Sequence, residues 1–191
     1  MPITTREEWL IQAADHIRKD VFTDHDIPPF RVSVGWPGGR GKKASTVGQC
    51  WNTSCADDGI SQVFVSPVVK AEVEVLRILV HEMIHVFDNC EHGHRGTFLN
   101  VFKKVGMTGK ATECAAGPDL AATLVEIVAK LGAYPHAAMK RPGEGGGVGE
   151  KKQATRMKLL KAECGYQVRT TQLWIDEGLP TCPHGHEMEV Q

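Results

Sequence analysis

The apolar positions at the start of the chain follow a helical period and then switch to alternation. Leu10, Ala13 or Ala14, Ile17 and Val21 recur every three or four residues, which predicts a helix from about Thr5 to Phe22. Thr4 with Glu7, or Thr5 with Glu8, offers its N-terminus a capping box. Beyond Pro28-Pro29, Phe30, Val32 and Val34 alternate with polar residues as in a half-buried strand. Pro37-Gly38-Gly39-Arg40-Gly41 reads as a loop, and residues 45–51 and 60–65 as two further strands around a polar turn at 52–59. After Pro67 the helical period returns. Leu76, Leu79, Val80, Met83 and Phe87 form one stripe of a helix predicted over residues 71–89, followed by shorter helices over 97–105 and 118–131. Pro118 after Gly117 suits a first helical position.

This pattern ends abruptly. Residues 141–150, Arg-Pro-Gly-Glu-Gly-Gly-Gly-Val-Gly-Glu, are too rich in glycine to pack and read as a flexible linker. The residues beyond carry Cys164, Cys182, His184, His186 and Trp174, a segment too small for its own hydrophobic core but adequate for a metal-stapled module. The expected division is therefore a main domain over 1–139, a Gly-rich basic linker over 140–152 and a small module over 153–191. A net charge of −1 gives no global argument for nucleic acid or membrane as partner. The polar start lacks the features of a secretory signal, and Arg77, His81, Glu82 and His85 interrupt the longest apolar stretch, so a cytoplasmic protein without a membrane span is expected. Six scattered cysteines then read as free thiols or metal ligands rather than a disulfide scaffold.

The chemistry concentrates at His81-Glu82-Met83-Ile84-His85. Two histidines four apart on a helix share a face, their Cβ atoms about 5–6 Å apart, so both imidazoles can reach one zinc at about 2.0–2.1 Å. Glu82 sits beside that metal as the candidate general base. Asp88 is the expected acceptor for a ligand's second ring nitrogen. Glu91, His92 and His94 compete for the third ligand place, with Glu113 or Glu126 as more distant candidates; Asp88 and Glu91 exclude the metzincin pattern. Spacing alone leaves His92 and His94 open.

His81-Glu82-Met83-Ile84-His85 followed by Gly93-His94-Arg95-Gly96-Thr97-Phe98 resembles the SprT-like (Spartan-type) zinc metallopeptidases. Gly48-Gln49-Cys50-Trp51, Val63-Phe64-Val65-Ser66-Pro67 and Leu131-Gly132-Ala133-Tyr134-Pro135-His136 are similar to that family's flanks, and the short bacterial and phage forms are the nearest in kind. Arg95 stands where the family usually has a second glycine. The resemblance implies His81, His85 and His94 as zinc ligands and Glu82 as the base. It also implies a protein or peptide substrate, with DNA-associated proteins as the class. Tyr134, His136 and Arg95 are the candidates for stabilising the oxyanion.

The tail, Cys164-Gly165-Tyr166 through Cys182-Pro183-His184-Gly185-His186, resembles the zinc ribbon that often follows such domains, with Lys161 standing where a partner for Cys164 is expected. Cys164, Cys182, His184 and His186 are its candidate ligands for a second, structural zinc. Residues 169–180 are also similar to the helix and turn of excisionase-type DNA-binding domains. The basic linker and this tail are the expected route to DNA. Cys50, Cys55 and Cys90 are expected as ordinary thiols, and Trp9, Trp36 and Trp51 as packing residues.

Together these features predict an α+β fold: a zincin-like metallopeptidase whose H-E-x-x-H helix packs on a small β-sheet, with a zinc-ribbon-like module after it. The expected activity is zinc-dependent endopeptidase hydrolysis. The alternative is a DNA-binding accessory protein with structural zinc and no peptidase activity.

Overall fold

A computed structural model of the chain describes residues 3–36, 46–140 and 157–191. It is a mixed α+β fold with small sheets, divided into two compact units, Met1–Arg141 and Pro142–Gln191. The expected loop at 37–41 and the expected linker at 141–150 lie outside the described residues.

The first unit opens with α1 (Arg6–Asp20), whose capping box is Thr5 with Glu8: the Glu8 amide donates to Thr5 Oγ1 and Glu8 Oε2 accepts from the Thr5 amide. Trp9, Leu10, Ala13, Ala14 and Ile17 form its buried face. Strands β1 (Phe30–Val34), β2 (Gly48–Trp51) and β3 (Ser61–Val65) make a sheet of order β1-β3-β2, with β1 parallel and β2 antiparallel to β3. A 3-10 turn at Thr53–Cys55 joins β2 to β3.

The centre of the unit is α2 (Glu72–Phe87). The predicted stripe residues Leu76, Leu79, Val80 and Met83 are buried, and so are Val75, Ile78, Ile84 and Val86, so the helix is covered on nearly every side. A helix apolar around most of its circumference belongs in a core. Short α3 (Gly96–Lys104), a hairpin of β4 (Met107–Lys110) and β5 (Glu113–Ala116), and α4 (Pro118–Leu131) complete the unit. Arg6 is buried and ties both ends together, donating to the carbonyls of Pro67, Pro135 and His136.

In the second unit β6 (Met157–Ala162) lies between β7 (Gln167–Thr171) and β8 (Met188–Val190), all antiparallel, with α5 (Gln172–Glu177) after β7. Its core consists of Leu160, Ala162, Cys182 and Met188. Among the described residues no helix is long and apolar enough to cross a membrane.

Candidate functional site

His81 and His85 project from one face of α2, one turn apart, as an i, i+4 pair must. The chain then leaves the helix and folds back through Gly93, whose positive φ of 55° a side-chain-bearing residue rarely adopts. That turn brings His94 over the pair. Nε2 of His94 lies 3.1 Å from Nε2 of His81 and 3.2 Å from that of His85. Two nitrogens on one tetrahedral zinc, each at 2.0–2.1 Å, stand about 3.3 Å apart. The donor set therefore fits a metal ion, and these three residues form a group able to hold one.

Phe98, fully buried in the first turn of α3, supports all three rings, with centroid distances of 5.1, 4.4 and 5.0 Å to His81, His85 and His94. His92 points elsewhere. Its Nδ1 lies 2.7 Å from Asp88 Oδ1, and its amide donates to Asp88 Oδ2. Asp88 is therefore the partner of His92 and not of a clustered histidine, which corrects the sequence expectation. Glu91 is exposed, Glu126 lies on an outward face of α4, and Glu113 sits on β5 rather than a helix; none belongs to the histidine group.

Burial holds all three imidazoles neutral, with their lone pairs available. Desolvation, then the neighbouring His85, His94 and Arg77, lower His81 to about 3. Burial, then His94, lower His85 to about 4, and burial lowers His94 as well. Glu82 moves the opposite way. Its carboxyl is enclosed beneath β2 and burial pushes it up to about 8, the residue being only 5% exposed.

The carboxyl fits there because residue 48 is glycine. A Cβ at that position would stand 2.7 Å from Ile78 Cγ2 and would overlap the Glu82 carboxylate. His81, Glu82 and His94 face an open cleft of about 470 Å³, bounded by Gly48 on β2 and by Arg77 and Cys114.

Arg77 and Cys114 were not anticipated. Arg77 stands one turn before His81 on the same face, a spacing the sequence does contain. Its Nε donates to Glu74 and its Nη1 to Cys114 Sγ at 3.0 Å. Cys114 Sγ is also 3.5 Å from His81 Nδ1. A His81 ring bound to a metal through Nε2 would carry its proton on Nδ1, the atom that faces this sulfur. Cys114 arrives on β5, and no local motif marks it.

The expected oxyanion candidates do not line this cleft. Tyr134 is buried, packed edge-on to Trp9 at 5.0 Å and beneath the Arg6 guanidinium, its hydroxyl without a partner. His136 Nε2 contacts the Thr4 carbonyl, and Arg95 is exposed. Among the described residues, Arg77 is the cation that does border the cleft. Cys90 lies against the Cys50 carbonyl, outside the histidine group.

In the second unit two tight turns bring Cys164, Cys182, His184 and His186 together. Cys164 Sγ is 3.6 Å from Cys182 Sγ and 3.5 Å from His184 Nδ1, and Cys182 Sγ is 3.4 Å from His186 Nδ1. Tetrahedral zinc sets sulfur–sulfur at about 3.8 Å and sulfur–nitrogen at about 3.6 Å. This group also fits a metal, now with four protein donors. Burial raises the Cys182 thiol, but hydrogen bonds from the His186 and His184 backbone outweigh it and bring the thiol down to about 6. A thiolate is the form that binds metal.

No protein-family model, curated protein or solved structure matches the chain.

The opposed shifts at the first group predict a stability maximum for the metal-free protein. His81 and His85 are held at about 3 and about 4, below the ordinary value of 6.5. Their contribution is present above about pH 6.5 and is lost as pH falls towards 4, because the unfolded chain then binds more protons. Glu82, raised from 4.5 to about 8, binds more protons when folded, so its contribution is lost as pH rises from 4.5 to 8. Two imidazoles outweigh one carboxyl below pH 6.5. Denaturant unfolding of chelated protein is expected to give a maximum near pH 6–7, with limbs on the order of 1 kcal/mol per pH unit. A flat profile between pH 4 and 8 contradicts these assignments.

Proposed function

We propose that this chain is a zinc-dependent endopeptidase of the SprT-like kind, a zincin-type fold in which Glu82 is the general base. The observation that carries the reading is the meeting of three imidazole nitrogens at one point, with His81, His94 and Glu82 lining one open cleft. Three donors leave a position free for water and substrate, as catalytic sites require, whereas four donors close a site.

His81, His85 and His94 would hold zinc through Nε2. Bound there, zinc supplies a Lewis acid that lowers the pKa of water at its open position to about 7 and polarises the peptide carbonyl. Glu82 Oε takes the proton from the attacking water and passes it to the leaving amide nitrogen. A carboxyl raised by burial suits both transfers; a cation beside it draws the pKa back down and favours the base form. Cys114 orients His81, and Arg77 is, among the described residues, the cation that borders the cleft for charge developing there.

The tail's four-donor set suits a structural zinc. Lys158, Lys161 and Arg169 are exposed on its strands, which is the support among the described residues for DNA as a partner. DNA-associated proteins are the substrate class that follows from the SprT-like reading. An accessory DNA-binding protein with structural zinc alone would need a closed first site, and the three-donor set speaks against that.

The test is removal and return of metal. Chelated protein is expected to lose cleavage of an unstructured protein substrate and to regain it with stoichiometric zinc. Absence of cleavage when the first site is fully loaded overturns the reading.

Gly48 offers a finer prediction. Gly48→Ala is expected to displace the Glu82 carboxyl, lowering kcat/KM at least about tenfold while zinc content stays the same. Unchanged kinetics at full zinc loading would mean that the position of Glu82 does not matter.

A further inference from the structure

Strand β2 presents two faces. Gly48 and Cys50 turn towards the core and α2. Gln49 and Trp51 turn the other way, beside their register partners Phe64 and Gln62 on β3. With Trp36 and Cys55, these four side chains line a groove of about 500 Å³ on the outer face of the sheet. Trp36 is 50% exposed and Trp51 44%, so the expectation that both are packing residues fails. Trp9, fully buried with its Nε1 donating to the Gly132 carbonyl, is the one that packs.

The groove has a definite chemistry. Among the described residues no charged side chain lines it, and the amides of Gln49 and Gln62 are its main polar groups. Arg31, the register neighbour of Gln62 on β1, is engaged by Asp58 at 2.6 Å. Flat aromatic faces without a free cation among the described residues suit an uncharged apolar side chain. A phosphate backbone requires cations that are free to pair.

Its position ties it to the cleft. Among the described residues β2 pairs only with β3, leaving the backbone groups of its other edge without a strand partner. A peptide joining that edge as a further strand sends successive side chains to alternate faces. One set meets the cleft beside His81 and Glu82, and the other meets Trp51. We propose that the Trp36–Trp51 groove is a substrate subsite that takes a large apolar side chain of an extended peptide, at positions alternating with those that face the metal cleft. This rests on the peptidase reading given above, and it names the substrate class of that same site.

The experiment uses zinc-loaded full-length protein and otherwise identical quenched peptides carrying Phe, Leu, Asp or Lys at one position at a time. At one position the wild type is expected to favour Phe or Leu over Asp by at least roughly tenfold in kcat/KM. Trp51→Ala is expected to reduce that preference to less than about twofold, and Gln49→Glu to turn it towards Lys. Cleavage with wild-type preferences in both variants overturns the proposal and leaves the peptidase reading standing. Tryptophan fluorescence of the Glu82→Gln protein supplies a readout without turnover. A shift with the Phe peptide that is lost on adding Trp51→Ala supports the groove, even if no peptide is cleaved, in which case only the hydrolytic reading falls. A shift with a single-stranded oligonucleotide and none with any peptide assigns the groove to nucleic acid and overturns the proposal.

Discussion

Glu82→Gln is expected to lower peptide hydrolysis by about 10²–10⁴-fold while zinc at His81, His85 and His94 is unchanged. Glutamine has nearly the shape of the carboxyl it replaces and fits the space that Gly48 leaves. It does not accept and return a proton at neutral pH, so the loss falls on kcat rather than on metal content. A second effect has the opposite sign. Glu82 is raised from 4.5 to about 8 by burial, so near pH 7 the metal-free folded protein must keep a proton that the unfolded chain releases. That costs stability increasingly as pH rises from 4.5 to 8, and the amide has no such cost. The metal-free variant is therefore expected to be more stable than wild type at pH 7–8 by a few kcal/mol and to lose the alkaline limb of the profile. Zinc analysis, kinetics and chemical denaturation on the same two preparations check all three points. Retained hydrolysis removes Glu82 from the role of base; unchanged alkaline stability removes the buried neutral carboxyl.

The parts of this fold that the sequence made legible are those whose signal is local. Helical period places α1, α2 and α4 closely, and for α1 and α4 Thr5, Glu8, Gly117 and Pro118 mark ends that depend on their own neighbours. The proximity of His81 and His85 follows from helix geometry alone. The third imidazole did not follow in that way. His92 and His94 flank the same glycine, and the difference between them is that Asp88, one helical turn before His92, engages its ring and amide. From the sequence Asp88 reads as serving a ligand, because nothing in the spacing tells a partner of His92 from a partner of His85.

What stayed hidden depends on contacts between distant segments. The β4–β5 hairpin has mostly exposed positions and a turn of only two residues between its strands, so neither its alternation nor its length announces it. Cys114 reaches His81 only through that hairpin, across 33 positions of chain. Trp36 and Trp51 look like core residues from hydrophobicity, but hydrophobicity does not say which face of a sheet is covered. The helices lie against the side of Val63 and Val65, and Phe64 faces the other way with both tryptophans. The Cys164, Cys182, His184, His186 set, by contrast, is legible as candidate ligands from residue type alone; what its irregular spacing does not show is how two turns far apart in sequence bring the four donors together.

That donor set carries the second large effect. Cys182→Ser is expected to unfold the second unit while leaving the first intact. The unit's core is Leu160, Ala162, Cys182 and Met188, flanked by Val168 and Ile175. A core of that size does not hold a module of this length, and small domains of the kind depend on metals or disulfides. Among the described residues no disulfide is present, since all six cysteines are free. A structural zinc contributes on the order of 10–16 kcal/mol to folding in comparable small modules. Cys182 is both a buried core residue and the donor adjoining Cys164 and His186, so serine removes packing and a ligand together. Amide resonances of 157–191 are expected to collapse to unfolded positions in the variant, with zinc falling from two per chain to one and the remaining resonances keeping their dispersion. Chelation of the wild type is expected to give the same collapse, reversed by zinc. Cys55→Ser, at an exposed cysteine outside both donor groups, is expected to change neither spectrum nor stoichiometry. Full dispersion of the tail in Cys182→Ser would mean that its strands hold without metal, and that the convergence of its four donors has some other origin.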